Sequence, residues 1–224
     1  MTEPLVIGRG AGRTFGKGAT ATVAVQAADF AIELEQRVAL VGPSGSGKST
    51  LLHLMAGLDL PTVGTIAWPA IGSRSDLRPG AVAVIFQGPS LLPPLNVLEN
   101  VALPLVLAGE REDAARNAAT TSLELLGLVA LADKLPEEIS GGQAQRVAVA
   151  RALTGRPRLI LADEPTGQLD HTTAAGVVET LLAAADHGQA ALVVSTHDPA
   201  IAARLDERWE MHDGRLLAAQ GARA

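Results

Sequence analysis

Residues Gly42 to Thr50 read GPSGSGKST. The stretch fits G-x-x-x-x-G-K-[ST] through Gly42, Gly47, Lys48 and Ser49, with Pro43, Ser44, Gly45 and Ser46 between the glycines. Glycines let backbone N–H groups turn inward and approach an anion closely. A helix that starts where the loop ends adds its orphan N–H groups and the positive end of its dipole. Lys48 brings a full charge toward the outer phosphates, and the Ser49 hydroxyl is a ligand for Mg2+. The apolar run Val38 to Val41 before the loop and LLHLMAGL after it supply the strand and helix that such a loop needs. The expectation is a loop that wraps a triphosphate.

Three further strand ends carry polar residues of the right type. RLILADEP, Arg158 to Pro165, ends in two acids. A strand-end Asp163 can hold Mg2+, and Glu164, turned elsewhere by strand alternation, is placed to polarise an attacking water as general base. ALVVSTHDP ends at His197, in reach of a γ-phosphate, and AVAVIFQGP ends at Gln87, a ligand for metal and water. ISGGQAQR, Ile139 to Arg146, adds a second helix start, with Ser140 as N-cap and Gly141, Gly142 and Gln143 following. One nucleotide has no need of two anion sites far apart in sequence. Two chains placed head to tail do: each nucleotide lies between one chain's loop and the other chain's second site.

The elements that must position these groups alternate. Strand-like runs are LVI near the start, FAIEL, RVALVG, AVAVIFQ, RLILADE and ALVVSTH, then RWEM and RLL flanking the turn signal Asp213-Gly214. Helical patterns cover Ser49 to Leu58, Thr172 to Ala185 and Ala200 to Leu205. The alternation predicts an α/β fold with a mainly parallel sheet and one domain over 1–224. NVLENVALPLVLA, EDAARNAATTSLELLGL and QAQRVAVARALTG break the pattern with helices only. They predict a helical subdomain, 88–154, inserted into a core of 1–87 and 155–217. Residues from Ala218 onward are expected to fray.

Composition excludes several function classes. The net charge is −6 and basic residues are scattered, so there is no nucleic-acid footprint. The absence of cysteine removes disulfide scaffolds and thiolate metal sites. Met1 to Gly10 lacks a signal-peptide pattern. Pro79 to Leu98 carries no charge, but four prolines prevent it from satisfying its backbone in lipid. The chain reads as soluble, held at a membrane only by a partner.

Taken together, these motifs resemble the ATP-binding subunits of ABC transporters. GPSGSGKST resembles the Walker A motif, LILADEP the Walker B and ISGGQ the family signature; Gln87 matches the Q-loop, Gly167-Gln168-Leu169-Asp170 the D-loop and His197 the switch histidine. RTFGKG places Phe15 where the family has an adenine-stacking aromatic. SLLPPLNVLENVALPLVLAG is similar to the branch of lipoprotein-releasing, macrolide-exporting and FtsX-partnered ATPases.

The resemblance implies a P-loop NTPase (RecA-like) core with N-terminal antiparallel strands, ATP and Mg2+ as cofactors, and a homodimer. It also implies a separately encoded integral membrane permease and a cytoplasmic position on the inner face of the membrane. Within the site, it implies that Lys48 and the backbone from Gly42 to Thr50 hold phosphates, and that Ser49, Gln87 and Asp163 serve the metal. Ser140, Gly141 and Gly142 contact the γ-phosphate of the opposite chain's ATP, Gln143 and Asp170 belong to the nucleotide-binding set, Glu164 acts as base, and His197 stabilises the transferred phosphoryl group. Departures are Ile139 where Leu is usual, Ala144 for a polar residue, Gln168 for a smaller one, and Phe15 for Tyr. A soluble ABC regulator of a non-membrane partner is the alternative, although the insertions or second domain usual in that class are missing. A kinase or GTPase leaves ISGGQ without a role.

Overall fold

The computed structural model describes residues 3–167 and 169–221; Gln168, the unusual D-loop residue, lies outside the described residues. In chain order the strands are β1 (Val6–Phe15), β2 (Thr22–Ile32), β3 (Arg37–Val41), β4 (Val63–Ala67), β5 (Val82–Ile85), β6 (Leu159–Asp163), β7 (Ala191–Thr196), β8 (Glu207–His212) and β9 (Arg215–Gly221). The helices are α1 (Lys48–Met55), α2 (Val97–Leu107), α3 (Glu112–Leu125), α4 (Gly141–Leu153), α5 (His171–Gly188) and α6 (Pro199–Ala202). The strands line up as β4-β1-β2-β9-β8-β3-β7-β6-β5. β8, β3, β7, β6 and β5 run parallel to one another, whereas β4, β1 and β2 pair antiparallel.

The central strands read as unbroken apolar runs because both faces are covered. Ala39, Ile160, Ala162, Leu192 and Val194 face a core shared with α2, α3, α4 and α5. Their strand neighbours Val38, Leu40, Leu159, Leu161 and Val193 face a second core with α1 and the N-terminal strands. The three helices α2, α3 and α4 fall in sequence between β5 and β6. Within the uncharged stretch Pro79 to Leu98 lie β5, an irregular segment and the first residues of α2. Among the described residues no helix is long and apolar enough to cross a membrane.

Four readings of the sequence need correction. β4 is missing from them because it is an edge strand whose residues are nearly all exposed, so it carries no apolar run. β5 stops at Ile85, short of Gln87. β9 does not fray at 218, because pairing with β8 continues to Glu207 opposite Gly221; the rest of the stretch expected to fray, 222–224, lies outside the described residues. The turn that starts it is as expected, with Asp213 and Gly214 both at positive φ, 47° and 77°. The fourth concerns Glu164 and belongs to the site.

Candidate functional site

The register of the parallel strands gathers the site at one edge. Val41 pairs with Thr196, Asp163 with Ser195, and Ala162 with Ile85. The residues just beyond these strand ends are therefore Gly42, His197, Glu164 and, one step further, Gln87. Open α/β sheets bind ligands at this carboxyl edge.

The loop from Gly42 to Lys48 requires its glycines. Gly47 sits at φ 102°, and a Cβ there would collide with the Ala24 carbonyl oxygen of β2. A Cβ on Gly42 would strike the Met211 carbonyl oxygen of β8. Gly47 is also the N-cap of α1 and brings no capping side chain, so the first amides of α1 are left for another acceptor. Pro43, Ser44 and Gly45 are exposed, Ser46 is buried, Ser49 is exposed in the first turn of α1, and Thr50 is half-buried. Lys48, only 5% exposed, donates from Nζ to the carbonyls of Gly42 at 2.9 Å and Pro43 at 3.1 Å.

The acids close the site from β6. Glu164 Oε1 lies 3.3 Å from Lys48 Nζ, and Oε2 lies 3.4 Å from His197 Nδ1. Glu164 does not take its direction from strand alternation: it stands just past β6 in the left-handed region, at φ 42°. Such a conformation costs about 1–3 kcal/mol and is held by its surroundings. Ser195 supplies the hold. It is fully buried, its Oγ accepts from the Glu164 N–H at 2.9 Å, and its hydroxyl donates to Asp163 Oδ1 at 2.6 Å. The Gln87 amide reaches the same place: a Cβ on Gly167 would lie 3.1 Å from Gln87 Nε2 and 3.5 Å from Glu164 Oε2.

Gln87 sits in a segment without regular structure, held from α4. Gln145, 2% exposed, donates to the Phe86 carbonyl at 3.1 Å. Arg151 donates to the carbonyls of Ser90 at 2.9 Å and Pro89 at 3.2 Å, and burial pulls its guanidinium below the ordinary value. From α2, fully buried Asn100 accepts from Leu92 N–H and donates to the carbonyls of Leu92, Leu95 and Asn96.

The second helix start is built differently. The Ser140 hydroxyl accepts from Gln143 N–H at 3.2 Å, and Gln143 Oε1 accepts from Ser140 N–H at 2.8 Å, a complete capping box. Ser140, Gly142 and Gln143 line a groove of about 480 Å3 with Thr172, Thr173 and Thr180. This groove shares no lining residue with the clefts around Pro43, Glu164 and His197. Asp170 caps α5, accepting from the N–H groups of Thr172 and Thr173 and from the Thr173 hydroxyl. The Thr173 hydroxyl, then its N–H, hold the Asp170 carboxyl below its ordinary value.

Phe15 ends β1, 43% exposed, opposite Thr22 of β2. The residues named from the sequence leave out the polar groups that hold them in place: Ser195, Gln145 and Arg151. The available signals are polar residues inside apolar stretches, Ser195 in ALVVSTH and Gln145 in QAQRVAVARAL.

The family model of the ABC transporter matches residues 25–167. The lipoprotein-releasing system ATP-binding protein LolD of Bordetella pertussis is 41% identical over 222 residues, 96% of this chain and 96% of that protein. LolD of Legionella pneumophila (strain Paris) is 42% identical over 213 residues, 92% of this chain and 94% of that protein. Among solved structures, a dimeric ATP-binding cassette in a post-hydrolysis state, bound to ADP and Pi, has a TM-score of 0.86 at 32% identity, covering 98% of this chain and 99% of that one. The structure of cbiO1 from Clostridium perfringens, part of the ABC transporter complex cbiONQ, has a TM-score of 0.85 at 25% identity, covering 98% and 89%.

Proposed function

The chain belongs to the ABC transporter family as its ATP-hydrolysing subunit, and from that premise we propose how its residues divide the work and what the work drives. Two copies close head to tail around two ATP molecules. In each copy the amides of Gly42 to Thr50 and the Lys48 ammonium take the phosphates. Ser140, Gly141, Gly142 and Gln143 of the opposite copy cover the γ-phosphate, with Asp170 setting the start of the neighbouring helix α5.

Ser49, Gln87 and Asp163 are the residues that would hold the metal. Their donors are a hydroxyl, an amide carbonyl and a carboxylate, the hard oxygen set that suits Mg2+. Among the described residues no cluster of three His, Cys, Asp or Glu forms a closed cage. When bound, Mg2+ offsets phosphate charge. Ser195 keeps the Asp163 carboxylate oriented for it.

Hydrolysis is a water attack on the γ-phosphorus. The new O–P bond forms as the bond to the β–γ bridging oxygen breaks, and Glu164 accepts the water's proton. His197 donates to the transferred phosphoryl oxygens, and Gln87 orients the water. The observation that carries this reading is the contact chain Lys48–Glu164–His197 at the sheet's carboxyl edge. An incoming triphosphate competes for Lys48, which frees the carboxylate beside it. Phe15 stacks on the base.

The driven partner is a separately encoded integral membrane permease of the lipoprotein-releasing type, which holds this chain at the inner face of the membrane. The LolD relatives, similar over nearly the whole chain, support it. The segment from Gln87 to Gly109 is the surface on which a permease helix docks.

The test is Glu164→Gln. This variant binds ATP as the parent does, and its turnover falls by about 10²–10⁴, the usual contribution of a positioned base. Turnover near the parent's removes Glu164 from that role. The same variant, tagged and purified with ATP from solubilised membranes of the source cell, brings down one polytopic protein with a large extracytoplasmic domain. Ribosomal or DNA-bound proteins in its place overturn the permease assignment.

A further inference from the structure

The ring of Phe15 has a support of its own. The guanidinium carbon of Arg13 lies 4.6 Å from the ring centroid, over one face. Arg13 Nε donates to Asp59 Oδ2 at 2.8 Å, and both side chains of this pair are three-quarters buried. Asp59 is no free surface acid. It follows α1, its N–H donates to the His53 carbonyl inside that helix at 3.2 Å, and its Oδ1 accepts from Leu60 N–H at 2.8 Å. The ion pair thus ties the end of β1 to the far end of the helix whose beginning is the phosphate loop.

The front of α1 is fixed to the same strands. Gly47 packs on the Ala24 carbonyl of β2, and Phe15 pairs with Thr22 on that strand. Two residues of strand separate those contacts, about 7 Å at the usual rise. The ring is therefore close to the loop and braced from behind. One face is covered by a cation, and the exposed remainder is free to stack.

We propose that Arg13 is a positioning residue for the nucleotide base: held by Asp59, it fixes the Phe15 ring at a set place relative to the phosphate loop. The inference rests on the reading of Phe15 as the base-stacking ring. A ring that is already ordered loses less freedom when the base arrives, and the cation over its back face adds attraction that depends on the ring. Arg13 also carries charge, and charge alone would attract any polyphosphate. The two roles predict different ligand dependence.

The experiment measures binding of ATP and of inorganic triphosphate, which has the charge but no base, to the purified full chain. Arg13→Met is expected to weaken ATP roughly three- to ten-fold, the scale of one partly exposed cation–π contact and one held side chain. Triphosphate binding stays as in the parent, and in steady-state hydrolysis KM rises while kcat holds. Arg13→Lys, which keeps a cation and an ion-pair donor, recovers part of the loss. Asp59→Asn moves ATP in the same direction by less. Phe15→Ala gives the larger loss, and adding Arg13→Met to it costs nothing more.

Equal weakening of ATP and triphosphate by Arg13→Met overturns the proposal, since Arg13 then acts only by its charge. Unchanged ATP affinity in Arg13→Met, with Phe15→Ala impaired, overturns it while leaving Phe15 as the stacking ring. Unchanged ATP affinity in Phe15→Ala removes the stacking reading and the proposal with it.

Discussion

Two helices in this chain begin at glycine-rich, anion-ready turns, and they are prepared to different degrees. α1 starts on Gly47, at φ 102° and with no capping side chain. α4 starts on Ser140, whose hydroxyl already satisfies the Gln143 amide while Gln143 satisfies the Ser140 amide. The loop before α1 is walled by the carbonyls of Ala24 and Met211, and its lysine is buried. The turn before α4 opens onto a groove, and a Cβ on Gly141 would meet nothing within 4 Å. On the proposed division of work, the first site, short of acceptors, takes a phosphate in the single chain, and the second, self-satisfied, gains only when another chain's nucleotide is presented to it; hydrolysis then depends on closure.

The contrast is broken most sharply by giving each helix the same methyl group. Gly47→Ala forces an alanine into a left-handed φ and against the Ala24 carbonyl. The loop must shift, and ATP affinity of the isolated chain is expected to fall by about tenfold or more in a binding titration, since a side chain forced into a sparsely populated φ costs about 1–3 kcal/mol. Gly141→Ala keeps the parent's ATP affinity in the single chain and loses the ATP-dependent dimer, read by size-exclusion with light scattering, together with turnover. Equal loss of single-chain ATP affinity in both variants would erase the distinction between the two starts.

A smaller effect is expected one layer behind the acids at the end of β6. Ser195→Ala removes the donor to Asp163 and one of the two partners of the Glu164 N–H, the other being the Ser195 carbonyl at 3.2 Å. Loss of an orienting partner behind a metal ligand costs about 10–100-fold in activity or metal affinity. Hydrolysis should fall by that factor, and raising Mg2+ should recover part of it. Gln145→Leu leaves the Phe86 carbonyl without its donor and should lower kcat more than it raises KM. In a Gln87→Ala background it should cost little, because Gln145 acts through that segment.

These supporting residues show where sequence reading stops. The phosphate loop, the two acids and the signature turn are legible because each is a contiguous run whose residue types state the chemistry. The α/β class and the mainly parallel sheet follow from apolar runs that alternate with helices, but the order of the strands, with β9 and β8 between β2 and β3, does not. The supports join positions far apart in the chain: Glu164 to Ser195 across 31 residues, Arg13 to Asp59 across 46, Phe86 to Gln145 across 59. No local pattern marks such pairs, since each partner alone is an ordinary polar residue. Glu164 is the instructive miss. Strand alternation holds only while the strand lasts, and the positive φ that directs this carboxylate begins one residue after β6 ends.

The second helix start offers a finer test. Ser140→Ala removes the α4 cap, worth about 1 kcal/mol. For a chain of this size, that shifts the melting midpoint down by about 2–4 °C. The same change to Ser46 would probe no cap, since Ser46 Oγ is buried with no hydrogen-bond partner. If Ser140→Ala leaves the melting point untouched but abolishes turnover, the hydroxyl serves the opposite chain's phosphate and not the helix.

The smallest effect concerns the acid that begins α5. Asp170 accepts from two backbone amides and from the Thr173 hydroxyl, and these bonds hold its carboxyl below the ordinary value. A carboxylate depressed in the folded state binds fewer protons there than in the unfolded chain. Its contribution to stability is therefore complete above the unfolded value of about 3.9 and is lost as pH falls through the lower folded one. Asp170→Asn keeps a capping oxygen but cannot ionise, so it isolates that contribution. The parent should melt slightly above the variant at pH 7, and the gap should close as the pH drops below about 4. A gap that stays constant down to pH 3 would mean that the carboxylate's charge adds nothing to the cap. Asp170 would then hold α5 as Ser140 holds α4, by hydrogen bonding alone.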